Sequence, residues 1–212
     1  KSGLKLEGIS GDVEAALVLN AVKKKLKLKD SVDYLLFDLG GGSLELSMIE
    51  HGLITGSKSF DLGTLRYLEL SHKGIDAREK YVAQIKSQIE KFIDDDLRES
   101  PRLHLIGTGG NFRRVLKIKR KIKGDSEKFV RLSDLGEMQR ELEKVKFLDR
   151  IEKFELRADR ADVIIPAIKI IREVVGELPV KKIFCPNVGL IHGILYSMIA
   201  QKKINGHPLN RR

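Results

Sequence analysis

Tryptophan is absent from this sequence, and cysteine occurs once, at Cys185. A lone cysteine excludes an internal disulfide and suits a reducing compartment, so a cytoplasmic protein is expected. The five histidines are scattered and never pair at helical spacing, so no zinc-ligand spacing exists. No apolar run approaches the roughly 20 residues of a membrane span. The start, Lys1-Ser2-Gly3-Leu4-Lys5, lacks the apolar core of a signal peptide. Aromatic residues make up 6% and do not interleave with the basic runs. That argues against a stacking platform for single-stranded nucleic acid. There is no internal repeat.

Positive charge is plentiful. Forty Lys and Arg against thirty Asp and Glu leave a net charge of +10 over 212 residues. The length suits one large domain or two small ones, and the 42% hydrophobic and 33% charged contents suit a soluble globular protein. Basic runs lie at Lys23-Lys24-Lys25-Leu26-Lys27 and across residues 113–123. They fit a polyanionic partner, nucleic acid or a phosphate chain, and equally a solvated lysine-rich surface. The sparse aromatics make nucleic acid the less expected of the two partners.

The stretch Phe37-Asp38-Leu39-Gly40-Gly41-Gly42-Ser43-Leu44-Glu45-Leu46 organises the chain. The apolar segment Tyr34-Leu35-Leu36-Phe37 before it is too short for a helix and dense enough for a buried strand. Alternating Leu44, Leu46 and Met48 after it predict a second strand. Glycine accepts positive φ and removes Cβ, so backbone can approach a ligand. Successive N–H groups in such a turn form an anion-binding concavity. Asp38 and Glu45 flank the turn, and magnesium takes few protein carboxylates plus phosphate oxygens. The plain alternative is a hairpin with Asp38 capping it and Glu45 facing water.

In chain order, Ser10 is a candidate N-cap with Asp12 and Glu14 in the first helical turn, where the dipole favours acids. Glu50-His51-Gly52 reads as a hairpin turn before a third strand over residues 53–60. A short helix from Thr64 and a longer one over 75–97 follow. A fourth strand, Leu103-His104-Leu105-Ile106, ends in Gly107-Thr108-Gly109-Gly110-Asn111. That turn precedes a helix, whose N-terminal amides make it a second candidate ligand loop. Residues 117–128 read as an exposed basic loop. Helices over 133–145, 147–154 and 163–175 are expected, then a fifth strand at 182–185 and a helix over 189–199. Pro166 starts or kinks its helix, and Cys185 reads as a small buried hydrophobe. Strands one to three form a meander, and the last two add in parallel through helical crossovers. Both glycine loops then fall at carboxyl ends of adjacent strands, where open α/β sheets bind ligands.

These residues resemble the carboxyl-side lobe of the exopolyphosphatase and guanosine pentaphosphate phosphohydrolase family, within the actin-like ATPase and sugar-kinase superfamily. Ser10-Gly11-Asp12-Val13-Glu14-Ala15 resembles its Ser-Gly-x-x-Glu-Ala helix start, and residues 38–46 its Asp-Ile-Gly-Gly-Gly-Ser-Thr-Glu-Leu loop. Leu62-Gly63-Thr64-Leu65-Arg66 resembles its Leu-Gly-x-x-Arg segment, and residues 107–110 take the place of its Gly-x-Ser-Gly-Thr turn. Arg160-Ala161-Asp162 and residues 189–195 follow in order. The resemblance implies an α/β, ribonuclease-H-like fold with a mixed five-stranded sheet flanked by helices. It implies magnesium-dependent release of terminal phosphate from polyphosphate, or of the 5′-phosphate of guanosine pentaphosphate. Glu14 matches the catalytic glutamate that activates water. Asp38 and Glu45 match metal-organising carboxylates. Gly40, Gly41, Gly42, Ser43, Arg66, Gly107, Thr108, Gly109 and Gly110 take phosphate-binding positions.

Three departures stand out. Leu44 replaces a threonine, Gly109-Gly110 replace hydroxyl donors, and Ile191-His192 replaces a charged pair before Gly193. Family members also carry a preceding lobe with its own phosphate loop. The expectation is therefore a single second lobe over residues 1–212, with 1–9 as the junction to the first lobe and 201–212 as a basic tail. The expected partners are that lobe and the phosphate substrate, and a homodimer is left open. Readings of other classes are a non-catalytic polyphosphate- or nucleotide-binding module and an ATPase or kinase lobe.

Overall fold

A computed structural model describes residue 3 and residues 8–204 except 94 and 177. The expected junction and tail lie mostly outside these residues; residues 201–204 belong to the final helix.

The N-terminal strands form the expected meander. β1 (Asp33–Leu39), β2 (Leu44–Glu50) and β3 (Leu53–Phe60) pair antiparallel in sequence. The β2–β3 turn bends where predicted, with His51 at φ 48° and Gly52 at φ 73°. β4 (Leu103–Thr108) lies parallel to β1, and β6 (Lys182–Phe184) parallel to β4. The sheet order is β3-β2-β1-β4-β6-β5. This is the ribonuclease-H-like class with one strand more than expected. The sixth strand, β5 (Phe129–Arg131), pairs antiparallel with β6 at the edge. Three residues with two apolar positions carry too little periodicity to be read as a strand.

Helices cover both faces. α1 (Gly11–Leu26) and α10 (Leu190–Ile204) pack on Leu36, Ile49 and Ile106. α2 (Thr64–His72), α3 (Ile75–Phe92), α5 (Gly109–Lys123), α6 (Leu132–Glu143) and α9 (Ile164–Val175) enclose the larger core around Leu35, Phe37, Leu46 and Leu105. The helix expected over 75–97 breaks where Ile93 turns extended, and a short α4 (Asp95–Glu99) follows. Pro166 occupies the first turn of α9, where a missing N–H costs nothing, so it starts the helix rather than kinking it. The short helices α7 (Phe147–Phe154) and α8 (Ala158–Ala161) bridge α6 to α9. No helix among the described residues is long and apolar enough to cross a membrane.

The exposed loop expected over 117–128 is largely helix. α5 continues to Lys123, with Val115, Leu116 and Ile118 buried, and Gly124 at φ 69° closes it as a left-handed C-cap. Lys119 is wholly buried. Its ammonium donates to Glu127 at 2.6 Å and to the Phe129 carbonyl at 3.0 Å, and lies 3.0 Å from Asp125. Burial pushes its pKa down, but these acceptors more than reverse that. Lys119 thereby ties α5 to β5. One charge in a basic run had no sequence signal that it faced inward.

Candidate active site

Strand alternation decides which side chains share the site. In β1, Leu35, Phe37 and Leu39 face the larger core, which leaves Asp38 on the face of Leu36, under α1. Asp38 pairs directly with Glu45 across the hairpin and with Thr108 across the parallel ladder. The two strand-end loops therefore meet at one carboxylate. α1 brings Glu14 to the same place. Ser10 caps this helix, its Oγ accepting the Val13 N–H at 3.4 Å. Gly193 seats the helix from behind, because any Cβ there would lie 2.1 Å from the Leu17 carbonyl oxygen.

Glu14, Asp38 and Glu45 line one cleft of about 100 Å³ with Ser47, Ser57 and Ser59. Thr108 Oγ1 donates to Asp38 Oδ2 at 2.9 Å. Ser43 and Ser59 both donate to Glu45 Oε1, the latter at 3.2 Å. Burial pushes the Asp38 carboxyl above its ordinary range, the Thr108 hydroxyl pulls it back, and the charges of Glu45 and Glu14 raise it again. Three acids converging on one cleft suit a hard cation. Among the described residues, no group of three or more ligating side chains forms a metal cage. Asp38 and Glu45 could still hold magnesium as a pair, because that ion usually completes its shell with water and phosphate oxygens.

The first glycine loop works differently from the expectation. Gly40, Gly41 and Gly42 do not have positive φ. Glycine is needed there for close approach: a Cβ on Gly41 would meet Leu65 at 3.1 Å, and one on Gly63 would meet the Gly41 carbonyl oxygen at 2.2 Å. The N-terminus of α2 docks on this loop, with Thr64 N donating to Gly40 O at 3.1 Å and Leu65 N to Gly41 O at 2.8 Å. Carbonyls thus face α2, and Gly40 N–H closes the turn on Ser43 O at 2.9 Å. Among the described residues, the amides of Gly41, Gly42 and Ser43 donate to no backbone acceptor. Arg66 sits in the first turn of α2, its guanidinium 3.7 Å from Asp61, and does not line the cleft.

Positive φ belongs instead to the second loop. Gly109 has φ 81°, and a Cβ there would fall 2.3 Å from Asp38 Oδ1. Gly107 lies under the Phe112 ring, which packs edge-on against Phe37 at 5.3 Å. Thr108 is the N-cap of α5 but spends its hydroxyl on Asp38, so its side chain leaves the first amides of that helix open. Buried Asn111 ties the loops together, its Nδ2 donating to Leu39 O at 2.6 Å and its Oδ1 accepting from Arg114 at 3.1 Å.

Asp38 also borders a second cleft with Gly109, Gly110, Arg113, Gly189 and His192. Arg113 lines it, and the Arg114 guanidinium lies 3.2 Å from where a Cβ on Gly110 would sit. Burial, then the charges of Arg160, Arg113 and Arg157, push half-buried Arg114 down to about 10, against the opposing pull of Asp159. Arg157 and Arg160 share Asp159 at 3.2 and 3.1 Å. The charges of Arg113, Arg157 and Arg160 around Arg114 escaped sequence reading because residues 113–114 and 157–160 meet only in three dimensions.

The Ppx/GppA phosphatase family model matches residues 1–202. The chain belongs to that family. Among curated proteins it is 28% identical to a bifunctional 3-dehydroquinate synthase/phosphatase of Fusobacterium nucleatum, over 81% of this chain and 27% of that protein. Among solved structures, an exopolyphosphatase from Cytophaga hutchinsonii superposes with TM-score 0.75 at 22% identity, covering 93% of this chain and 66% of that one. The Aquifex aeolicus Ppx/GppA member superposes with TM-score 0.72 at 20% identity, covering 97% and 67%. These structural likenesses are likenesses of fold. The chain spans about two thirds of those structures and about a quarter of the Fusobacterium protein.

Proposed function

We propose that this chain is the second lobe of a magnesium-dependent hydrolase of phosphoanhydrides, releasing terminal phosphate from polyphosphate or the 5′-phosphate of guanosine pentaphosphate. The observation that carries this is the convergence of Glu14, Asp38 and Glu45 where the two glycine loops meet. Family membership supports a phosphatase.

Phosphoryl transfer depends mainly on positioning and on neutralising charge. Asp38 and Glu45 hold the metal, which when bound offsets the charge of the phosphate oxygens. The amides of Gly41, Gly42 and Ser43, with the open first amides of α5, receive phosphate oxygens. Glu14 lies in the first turn of α1 and lines the cleft beside Asp38 and Glu45, where it orients the attacking water. The water oxygen bonds to the terminal phosphorus as the bridging P–O bond breaks, its electron pair leaves with the shortened chain, and the water's proton passes to a phosphate oxygen. Arg113 in the second cleft, with Arg114 and Arg160 nearby, would guide the rest of a polyanion. Lys117 is less suited, being held by Glu155 at 2.8 Å.

Opposing phosphate donors come, on the family's pattern, from a preceding lobe. Orientation of the kind a closing lobe supplies can carry ~7–11 kcal/mol of a barrier. The test is phosphate release from both substrates with magnesium, by this chain and by the chain joined to its upstream lobe. Turnover is expected only from the second. Equal turnover by both would refute the two-lobe reading, and tight binding without turnover by the joined protein would favour a binding module.

A further inference from the structure

α10 is apolar on two sides, and only one of them is covered among the described residues. Leu190, Gly193 and Tyr196 pack towards α1 and the sheet. Ile191, Ile194, Leu195, Met198 and Ile199 follow the i, i+3, i+4, i+7, i+8 spacing of a second helical face, and they are between 38% and 71% exposed. Residues 190–200 contain no Lys, Arg, Asp or Glu, in a chain that is 33% charged. A helix that is apolar all round belongs in a setting that buries it all round. Five large side chains at these exposures make a patch comparable with the largest that an ordinary monomer shows, roughly 300–600 Å², and such patches mark interaction surfaces.

The stripe begins at the candidate active site. Ile191 and His192 line the cleft that Asp38 borders, beside Gly109 and Arg113. On α1, Val13 is 46% exposed and lies between Asp12 and Glu14, which line the carboxylate cleft. Val13 stands one turn before Leu17, against whose carbonyl Gly193 packs. Exposed apolar residues therefore border both clefts, and a body seated on them overhangs the place where phosphate would react. A lipid surface fits the stripe poorly, because an interfacial helix carries Lys or Arg beside its apolar face and residues 190–200 have neither.

We propose that the α10 stripe, with Val13 at its edge, is the seat of the upstream lobe, the apolar surface on which that lobe docks to close over the clefts. Such a seat presupposes the two-lobe reading and gives that lobe its contact surface. Apolar contact suits the task. A polyanionic substrate and salt would loosen an ionic seat, and they leave a hydrophobic one in place.

The experiment is hydrogen–deuterium exchange of α10, read by mass spectrometry, in this chain and in the chain joined to its upstream lobe, with analytical ultracentrifugation of both. Exchange over residues 191–199 is expected to slow at least ~10-fold in the joined protein. Leu195→Gln/Met198→Gln should remove that protection, because two large apolar side chains leave the interface, and should lower phosphate release at least ~10-fold. The same variant should leave the thermal midpoint of the isolated chain unchanged, since both residues are exposed there. Leu148→Gln, on an exposed apolar residue of α7, should change neither protection nor phosphate release. Equal exchange of α10 in the two proteins overturns the proposal. So does protection that depends on the concentration of the joined protein and accompanies a dimer's mass, which would assign the stripe to a second copy. Protection of α10 without phosphate release from either substrate would keep the seat and refute the hydrolase. Turnover with α10 unprotected would overturn the seat and keep the hydrolase.

Discussion

Gly109→Ala is the sharpest perturbation of the carboxylate site. The added Cβ would lie 2.3 Å from Asp38 Oδ1 and 3.1 Å from its Cγ. Ordinary carbon–oxygen contacts begin near ~3.3 Å, so the carboxylate or the start of α5 must shift by about 1 Å. The carboxylate has little freedom to yield, because Thr108 holds Oδ2 at 2.9 Å. An L side chain at φ 81° adds strain of ~1–2 kcal/mol. Misplacing a catalytic group by about 1 Å can cost ~100-fold in rate. The expected outcome in the complete enzyme is therefore a ~100-fold fall in kcat with magnesium. The thermal midpoint should fall by about 2–4 °C for each kcal/mol. Gly124→Ala at the other end of α5 is the control. It has φ 69° but nothing within 4 Å, so it carries the strain without the clash. It should lower the midpoint and leave kcat within about twofold, since orientation at the site is untouched. Full activity in Gly109→Ala, or an equal loss in Gly124→Ala, would refute this account of Gly109.

Three further outcomes are expected. Glu45→Ala should cost at least ~10-fold in activity and weaken the magnesium dependence, read from rates at several metal concentrations. Asp38→Asn should make the metal-free chain more stable at neutral pH: the folded carboxyl binds its proton more tightly than the unfolded one, so ionising it costs stability as pH rises through the raised folded value. Melting curves in EDTA should show that advantage fade towards pH ~4, and added magnesium should stabilise the parent but not the variant. Neutralising Arg113, Arg114 and Arg160 together should weaken long polyphosphate more than short, with a shallower salt dependence, and an equal loss for both lengths would count against a tracking surface.

The framework was legible because it rests on local patterns. Dense apolar runs marked β1 and β4, His51-Gly52 marked the hairpin, and Ser10 marked the start of α1. What escaped were features whose cause is tertiary. β5 is a strand only because β6 lies beside it, and its anchor, Lys119, looks like its exposed neighbours in sequence. Residues 117–123 read as loop because charge dominates them, yet Ile118 and Lys119 face inward and only Gly124 ends the helix. A glycine near a basic run signals a loop or a C-cap equally well, and burial decides between them.

At the site, residue types were readable and their division of labour was not. Asp38 and Glu45 stand out in the sequence because carboxylates bracketing glycines suit a metal-bound phosphate. Alternation along β1 and β2 then places both on the α1 face, so this inference needed only a period of two. The glycines were a harder case, because one letter hides several duties. Gly63 and Gly193 admit backbone, Gly107 admits the Phe112 ring, and Gly109 admits the Asp38 carboxylate itself. In the family turn that residues 107–110 resemble, a hydroxyl donor would be expected at this place. Here Thr108, beside it in sequence, has its hydroxyl on Asp38. A loop without that donor can still order the carboxylate, provided that no side chain intrudes at residue 109. Gly109 is therefore the residue on which the placing of the Asp38 carboxylate rests.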